Sequence, residues 1–372
     1  MTTNETITEN QNQIEGIRPL IVSDHETVQR FCAPLRHLLF GFESQGISSC
    51  LVVPPDGEIE TLLWPGIEII EYPALKFPLF FRQNRRHLFA RIEKFKPSIV
   101  HCIGTSRAIL AKTISRTCNI PAVLTVNSSH QSFLRDRIIR KGFTTVIMSS
   151  NRFVENLKKT NPSIASIIKQ VNTGTFVDET CACFSQPQRL PSMVMVSDFL
   201  KFDDLDPLLS AVRHLAVDGY EFLIILMGRG PAERKLRHFV KSTGIAQTVG
   251  ISPEIRPLRS VFHGADIFIQ PYITQRLDPA MMEAASAGLA IATDKNNADN
   301  MLQNNQTAIF FDCRDELSIY SALGKLLDDR QLAVRLACAV QDYLRTNNSV
   351  SSMVDELLKI YSQAVPATPS NS

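Results

Sequence analysis

The chain has 372 residues, 44% of which are hydrophobic, and a formal net charge of +2. A chain of this length and apolar content can bury two cores of ordinary size, so we predict two domains. The near-neutral charge gives no indication of nucleic-acid binding, and we expect no nucleic-acid partner. The eight cysteines are scattered through apolar segments, which is typical of reduced thiols in the cytoplasm. Cys181 and Cys183 lack the further ligands that a zinc site needs, so we predict no metal.

The first segment of the chain and one basic stretch bear on localisation. Residues 1–16 are polar without an apolar core, which predicts a disordered tail rather than a signal peptide. No stretch approaches the roughly twenty apolar residues needed to span a bilayer. Residues 72–96 mix aromatic side chains with lysines and arginines, a combination that fits either a solvated surface helix or a surface that can contact an anionic membrane. We therefore expect a cytoplasmic protein, soluble or peripheral to the inner face of a membrane.

Apolar runs alternate with amphipathic segments along the first half of the chain. Residues 19–23, Cys50–Val53 and residues 67–70 predict buried strands, and residues 27–44 predict an amphipathic helix between the first two. This alternation of strand and helix is typical of a layered α/β domain with a parallel sheet.

A strand, loop, helix and strand follow one another in the second half. Ile267–Gln270 and residues 289–292 predict the two strands. Asp278 is a suitable N-cap, Pro279 suits the first helical turn, and Gly288 supplies the residue just past the helix end. A helix that begins just past a strand directs free N–H groups into the crevice where doubly wound sheets bind ligands. We therefore predict a ligand site at this loop.

This segment resembles the nucleotide-binding core of family-four glycosyltransferases with the GT-B fold, whose pattern there is roughly aDvfvlPSxxEgfGxpxlEAmAxGxPV. The resemblance implies an α/β fold of two Rossmann-like, doubly wound parallel-sheet domains that face each other across a cleft. It also implies that Glu283 contacts the donor ribose and that Gln275, at the position of a family glutamate, contacts the transferred sugar. Asp278 stands where the family has a glycine. The matching residues are Ala265, Asp266, Pro271, Glu283, Ala284, Ala287 and Gly288.

The first half is similar to the family as well. The family places a histidine near the donor sugar, and Asn127 stands at that position. His130 lies three residues further on and is a candidate base or hydrogen-bond donor, a solvated loop histidine being the alternative. The matching residues are Pro97, Val100, His101, Pro121, Thr125 and Val126.

The diphosphate-binding positions depart from the family. In the family an arginine and a lysine clamp the donor diphosphate, and here the matching residues are Asp198 and Asp203. One like-charge contact at about 4 Å costs roughly 4 kcal/mol at the effective dielectric of a protein surface. Relocated cations are therefore needed, and Lys201, Arg229 and Arg276 are the candidates, although each also fits a simply exposed side chain.

The candidate residues fall into two groups. Gly228 opens a G-x-G-P turn that resembles the family's turn after the corresponding strand, and Asp278 caps the helix that should hold phosphate. Glu283 also has a structural reading, because a glutamate early in a helix is favoured by the helix dipole. The candidate donor-binding residues are Glu283, Gly228, Arg229, Arg276, Lys201 and Asp278, and the candidate catalytic residues are Gln275, Asn127 and His130.

The resemblance implies a divergent glycosyltransferase that moves a sugar from a nucleotide-sugar to a carbohydrate or lipid-linked acceptor, with retention of configuration and no cofactor. The alternative is a non-catalytic relative that acts as a binding or scaffold partner. The predicted organisation is a disordered tail (1–16), an acceptor-side domain (17–180), a linker (181–191), a nucleotide-sugar-side domain (192–350), a helix returning to the first domain (351–364) and a second disordered tail (365–372).

Overall fold

The computed structural model describes residues 16–55, 67–72, 81–126, 142–149, 154–155, 158–159, 162–272 and 278–365. Most of the two predicted tails, residues 1–15 and 366–372, therefore lies outside the described residues. The chain divides into two compact units: the first is Met1–Gly174 with Asn348–Ser372, and the second is Thr175–Asn347.

Strands and helices alternate along the described chain. The strands are β1 (Pro19–Val22), β2 (Cys50–Val53), β3 (Glu68–Glu71), β4 (Ile99–Ile103), β5 (Ala122–Thr125), β6 (Thr145–Met148), β7 (Ile168–Gln170), β8 (Ser192–Val196), β9 (Leu223–Met227), β10 (Val249–Ser252), β11 (Ile267–Gln270), β12 (Ala290–Asp294) and β13 (Ile309–Phe311). The helices are α1 (His25–Arg30), α2 (Cys32–Ser44), α3 (Phe81–Phe95), α4 (Ala108–Cys118), α5 (Asp206–Val217), α6 (Glu233–Ser242), α7 (Leu258–Phe262), α8 (Pro279–Ser286), α9 (Glu316–Asp328), α10 (Arg330–Asn347) and α11 (Val350–Ala364).

Each unit is built on one parallel sheet. Among the described residues the first sheet has the order β3-β2-β1-β4-β5-β6-β7 and the second has the order β10-β9-β8-β11-β12-β13. Most strands of both sheets are largely apolar, and their alternate residues fall into separate buried clusters, so helices cover both faces. The predicted pair of Rossmann-like, doubly wound domains is confirmed, because both orders follow the doubly wound pattern in which the sequence runs outward in two directions from β1 and from β8.

The helix predicted over residues 27–44 is instead two helices. α1 ends at Arg30 and α2 begins at Cys32, with Phe31 in a non-helical conformation between them. Pro34 explains the break, because a proline ring clashes with the carbonyl of the residue four positions earlier, which here is Arg30. The prediction of one continuous helix was therefore wrong. The apolar side of the predicted amphipathic pattern is nevertheless the side that faces the core.

The last helix packs within the first unit. α11 lies against α2, where a side chain at Gly41 would overlap Val350 and Val354. It begins at Val350, one residue before the predicted start, and Ser349 caps it by accepting a hydrogen bond from the Ser352 amide. Tyr361 on this helix is completely buried and contacts His101 on β4.

The segment predicted as a linker, residues 181–191, lies within the second unit. The amide groups of Ala182 and Cys183 donate to the carbonyls of Ala287 and Gly288, at 3.1 and 2.9 Å. Gly288 adopts a φ of +80°, and a side chain there would overlap Cys181. The chain passes from one compact unit to the other between Gly174 and Thr175, whereas the sequence placed this passage within residues 181–191.

The basic stretch at residues 72–96 is described at Tyr72 and from Phe81 onward. α3 buries Leu88, Ile92 and Phe95, while Arg86 and Lys94 are exposed. None of the helices in the described ranges is both long and apolar enough to cross a membrane. The exposed basic residues of this helix and its C-terminal end are Arg85, Arg86, Arg91, Lys94 and Lys96.

Candidate functional site

The candidate site lies at the carboxyl edge of the second sheet. β8 pairs with β9 on one side and with β11 on the other, so the order of the strands reverses at β8. Ligands of open α/β sheets bind where this reversal occurs, in the crevice outside the carboxyl ends of the strands. The loops that follow β8, β9 and β11 are therefore the first elements to consider.

Helix α8 begins at this edge as the sequence predicts. Pro279 is its first residue, and the Asp278 carboxylate accepts a hydrogen bond of 3.0 Å from the Ala280 amide. The cap satisfies one of the free amide groups at the helix start and places a negative charge there. Glu283 lies one turn further along and is 9% exposed, so its carboxylate is largely buried.

Two glycines allow the loops after β8 and β9 to touch. A side chain at Gly228, whose φ is +149°, would lie 1.7 Å from the Ser197 carbonyl oxygen. A side chain at Gly230 would lie 1.9 Å from the Asp198 carbonyl oxygen. The Gly228 amide donates to the Ser252 carbonyl at 2.9 Å. These contacts explain the G-x-G sequence by backbone packing, and a role for Gly228 in donor binding stays a prediction.

The loop after β8 is anchored by a buried aromatic side chain. Phe199 is fully buried at a φ of +42°, and its carbonyl accepts a hydrogen bond from the Ala232 amide at 2.9 Å. This anchor leaves the polar side chains on both sides of it at the surface. Asp198, Lys201 and Asp203 are all exposed.

Tyr272 connects three strand ends. Its hydroxyl lies 3.8 Å from the Met195 sulfur and forms a hydrogen bond with the Ser197 side chain. Its carbonyl accepts a hydrogen bond of 2.6 Å from the Asn297 side chain, which also donates to the Thr293 hydroxyl at 2.9 Å. The loop after β11 is thereby fastened to the end of β8 and to the segment that follows β12.

Several acidic side chains lie near Tyr272. Burial raises the pKa of the Tyr272 phenol, and the carboxylates of Asp278, Asp198 and Asp204 raise that pKa further. The phenol is therefore neutral at physiological pH and available as a hydrogen-bond donor or acceptor. Asp278 and Asp198 stand where the family's pattern has glycine and arginine, so this edge carries negative charge and hydrogen-bond acceptors at those two positions.

One group in the described part of the chain has residue types that bind metals. Asp294, Asp312 and Cys313 lie close together at the end of β12 and the start of the loop after β13. Asp294 accepts hydrogen bonds from the Asn296 and Cys313 amides, and Asp312 forms an ion pair of 2.7 Å with Lys295. Burial and the neighbouring Asp294 raise the pKa of the Cys313 thiol to about 12, so no thiolate is present. The polar atoms of these residues already have partners in the protein, and we assign no metal to the group.

The predicted site residues have different outcomes. Asn127, His130, Gln275 and Arg276 lie outside the described residues. Glu283 lies on α8, and Asp278 caps the start of that helix. Lys201 and Arg229 are exposed in the loops after β8 and β9, at the same sheet edge as α8. The predictions for all of them as donor-binding or catalytic residues stay predictions.

Two residues of this edge were not singled out from the sequence. Gln270 ends β11 with a buried side chain, and Tyr272 follows two residues later. A signal was present for both, because the family pattern has leucine and serine at these positions. The loop differs from the family pattern because it has a polar residue in place of leucine and an aromatic residue in place of serine.

Comparisons with known proteins agree with this geometry. Residues 191–329 match the family model described as "Glycosyl transferases group 1". The chain is 27% identical over 168 residues to a GDP-mannose-dependent alpha-(1-6)-phosphatidylinositol monomannoside mannosyltransferase of Mycobacterium tuberculosis, a match that covers 41% of this chain and 43% of the relative. It is 23% identical over 141 residues to the lipopolysaccharide core biosynthesis glycosyltransferase LpsD of Rhizobium meliloti, covering 38% and 41% of the two chains. The matches thus span less than half the length of these curated relatives.

Solved structures resemble the chain over nearly its whole length. HepE of Anabaena, in complex with UDP and glucose, has a TM-score of 0.76 at 12% identity and covers 93% of this chain and 100% of its own. A glycosyltransferase of Rickettsia africae has a TM-score of 0.74 at 14% identity, covering 95% of this chain and 100% of its own. Identities this low establish the fold, and the family match adds the relationship in sequence. The chain therefore has the GT-B fold of these structures, and residues 191–329 of its second unit are similar in sequence to the group 1 glycosyltransferases.

Proposed function

We propose that this protein is a divergent glycosyltransferase that transfers a sugar from a nucleotide-sugar donor to a carbohydrate or lipid-linked acceptor. The observation that carries the proposal is helix α8, which begins at the strand-reversal point and carries Glu283 in its second turn. In this proposal Glu283 contacts the donor ribose and Gln275 contacts the transferred sugar. Asn127 or His130 lies near that sugar, and the transfer retains configuration.

The relatives' names support the choice of ligands. HepE has been solved with UDP and glucose, and the mycobacterial relative is named as a GDP-mannose-dependent enzyme acting on a phosphatidylinositol mannoside. A nucleotide-sugar donor and a lipid-linked or polysaccharide acceptor are therefore the ligand classes we propose here. The donor diphosphate still needs positive charge, and we propose that Lys201, Arg229 or Arg276 supplies it.

A non-catalytic relative is the second candidate. The acids around Tyr272 favour it, because Asp198, Asp204 and Asp278 repel a diphosphate at the edge where the family binds one. In this proposal the chain keeps the two-domain fold as a binding or scaffold partner. The two candidates differ in one measurable property, which is the binding of a nucleotide sugar.

The first test measures ligand-induced stabilisation. The melting temperature is followed with UDP, GDP, UDP-glucose and GDP-mannose, because a ligand that binds the folded state at 100 times its Kd adds about 2.7 kcal/mol of stability. We expect at least one ligand to raise the melting temperature of the wild type. Glu283→Gln keeps the size of the side chain and is expected to reduce that rise. A rise in melting temperature that is unchanged in Glu283→Gln would show that Glu283 does not contact the donor. If no ligand raises the melting temperature of the wild type, the non-catalytic relative is favoured.

The second test reverses the charges of the loop after β8. Asp198→Arg combined with Asp203→Lys replaces two repulsions with two attractions, and we expect the Kd for UDP or GDP to fall at least tenfold, or about 1.4 kcal/mol. Glu221→Arg combined with Glu356→Lys is the matched control. It changes the net charge equally, but Glu221 lies before β9 at the opposite sheet edge and Glu356 lies on α11 of the first unit. Equal gains in both double variants would show that only the overall charge matters.

The basic face of α3 supports a further proposal about localisation. We propose that it contacts an anionic membrane surface, since each exposed lysine or arginine near such a surface contributes about 1 kcal/mol of attraction. Arg86→Glu with Lys94→Glu is expected to abolish co-sedimentation with phosphatidylglycerol vesicles. Lys235→Glu with Lys241→Glu, which changes two exposed lysines on α6, should leave it intact. Wild-type protein that stays in the supernatant would identify α3 as a solvated surface helix.

A further inference from the structure

Gln270 is a polar side chain in an apolar strand. It ends β11, whose other residues are two isoleucines and a phenylalanine, and it is only 2% exposed. The family pattern has leucine at this position, and leucine would fill the same buried space without needing a hydrogen-bond partner. The carboxamide is therefore a feature of this chain, and its local structure does not account for it.

The strand pattern places this side chain beneath α8. Phe268 and Gln270 face the same side of the sheet, because side chains alternate along a strand. Phe268 packs in the cluster that includes Ala280, Met281 and Ala284 of α8. Gln270 is directly opposite Thr293 on the neighbouring strand β12. Its carboxamide thus lies at the carboxyl edge of the sheet, on the face that α8 covers.

The carboxamide oxygen of Gln270 is unsatisfied. It is buried, and no hydrogen-bond donor approaches it in the structure as described. A buried carbonyl that has lost water without gaining a donor destabilises the folded protein, and such groups in native structures call for an explanation. The neighbouring Thr293 hydroxyl cannot supply the bond freely, because it lies 3.4 Å from the Gln270 main-chain carbonyl and accepts from the Asn297 side chain.

The chemistry of the missing partner follows from the oxygen atom. A carbonyl oxygen accepts hydrogen bonds and donates none, so a diphosphate, which at neutral pH offers only acceptors, cannot satisfy it. A sugar hydroxyl can. The carboxylates of Asp198 and Asp278 at the same edge are also acceptors, and they suit a polyhydroxylated ligand for the same reason.

We propose that the Gln270 carboxamide accepts a hydrogen bond from a hydroxyl group of the bound nucleotide sugar and is a specificity-determining residue for it. The inference rests on the proposed function, since it assumes that a nucleotide sugar binds at this edge. The hydroxyl belongs either to the ribose or to the transferred sugar. Both present the same chemistry, and the experiment separates them.

The test compares wild type with Gln270→Met, which keeps the length of the side chain and removes the acceptor. Calorimetric titrations use UDP, UDP-glucose, GDP and GDP-mannose. For the nucleotide sugar that the wild type binds, we expect Gln270→Met to raise Kd about tenfold, while the melting temperature of the unliganded protein rises. Gln303→Met, at an exposed glutamine of the same unit, should change neither quantity.

The pattern across ligands identifies the hydroxyl. If the hydroxyl belongs to the ribose, Gln270→Met weakens the binding of the nucleoside diphosphate and of the nucleotide sugar equally. If it belongs to the transferred sugar, Gln270→Met weakens the binding of the nucleotide sugar alone. Equal Kd values for the nucleotide sugar in wild type and Gln270→Met overturn this inference while leaving the proposed function in place. A wild type that binds none of the four ligands overturns both.

Discussion

Replacing Gly228 with alanine is expected to prevent the second unit from folding stably, with a loss above about 4 kcal/mol, which is large for a single substitution. The added carbon would lie 1.7 Å from the Ser197 carbonyl oxygen and 2.9 Å from the Ser197 carbonyl carbon. Both are backbone atoms at the end of β8, so no side-chain rotation relieves the overlap. The φ of +149° adds a conformational cost of about 1–3 kcal/mol for any residue other than glycine.

Two other glycines in this unit distinguish the steric overlap at Gly228 from the conformational cost of its positive φ. Gly219 has a φ of +88° and open space around the added carbon, so Gly219→Ala is expected to cost only about 1–2 kcal/mol. Gly250 lies within β10, where the nearest atom would be 3.9 Å away, and Gly250→Ala should be close to neutral. Chemical denaturation of the three variants gives the comparison. A Gly228→Ala protein as stable as Gly219→Ala would contradict the close approach of the two loops.

The strands and most helices of this protein could be predicted from its sequence. Short and mostly apolar runs such as Ile267–Gln270 are typical of a buried strand, and Asp278, Pro279 and Gly288 mark both ends of α8. These signals are local, since each depends on residues within one turn or one strand. The break at Phe31 was missed because the effect of Pro34 falls four residues earlier.

The character of the site was harder to predict, because it depends on contacts between distant segments. The sequence located the acids at positions 198 and 278, but it gave no reason to bring Asp198 to Tyr272, which lies 74 residues further along the chain. Gly228 could be interpreted as a phosphate-binding glycine, yet its environment is the Ser197 backbone. The unsatisfied Gln270 oxygen requires knowledge of every neighbour and has no local sequence signal beyond the departure from leucine.

Acid is expected to destabilise the first unit through one buried histidine. His101 is 1% exposed, and its two ring nitrogens lie 2.6 Å from the Tyr361 hydroxyl and 2.6 Å from the Thr125 hydroxyl. A neutral imidazole has one donor and one acceptor nitrogen, and a hydroxyl can complement either. Burial lowers the pKa of His101 to about 3. The folded protein therefore keeps this histidine neutral at pH values where an exposed histidine is charged.

The sign of the pH dependence follows from proton uptake. The unfolded chain binds a proton at His101 below a pKa of about 6.5, and the folded chain does so only near pH 3. The stabilisation is therefore fully present above pH 6.5 and is lost as the pH falls from 6.5 toward 3. Between pH 7 and pH 5 this one group should lower the free energy of unfolding by about 2 kcal/mol. Most carboxylates remain ionised in that interval, so their contribution stays small.

Urea denaturation at pH 7 and pH 5 measures this loss, and two variants assign it to His101. His101→Gln has no titratable group there, and the difference between the two pH values should shrink by about 2 kcal/mol even if the variant is less stable throughout. Tyr361→Phe removes the hydroxyl partner but keeps the buried histidine, so it should be less stable at both pH values and retain the difference. If wild type and His101→Gln lose the same free energy of unfolding between pH 7 and pH 5, His101 takes up its proton in the folded protein. That result would contradict the burial of His101 beside Tyr361.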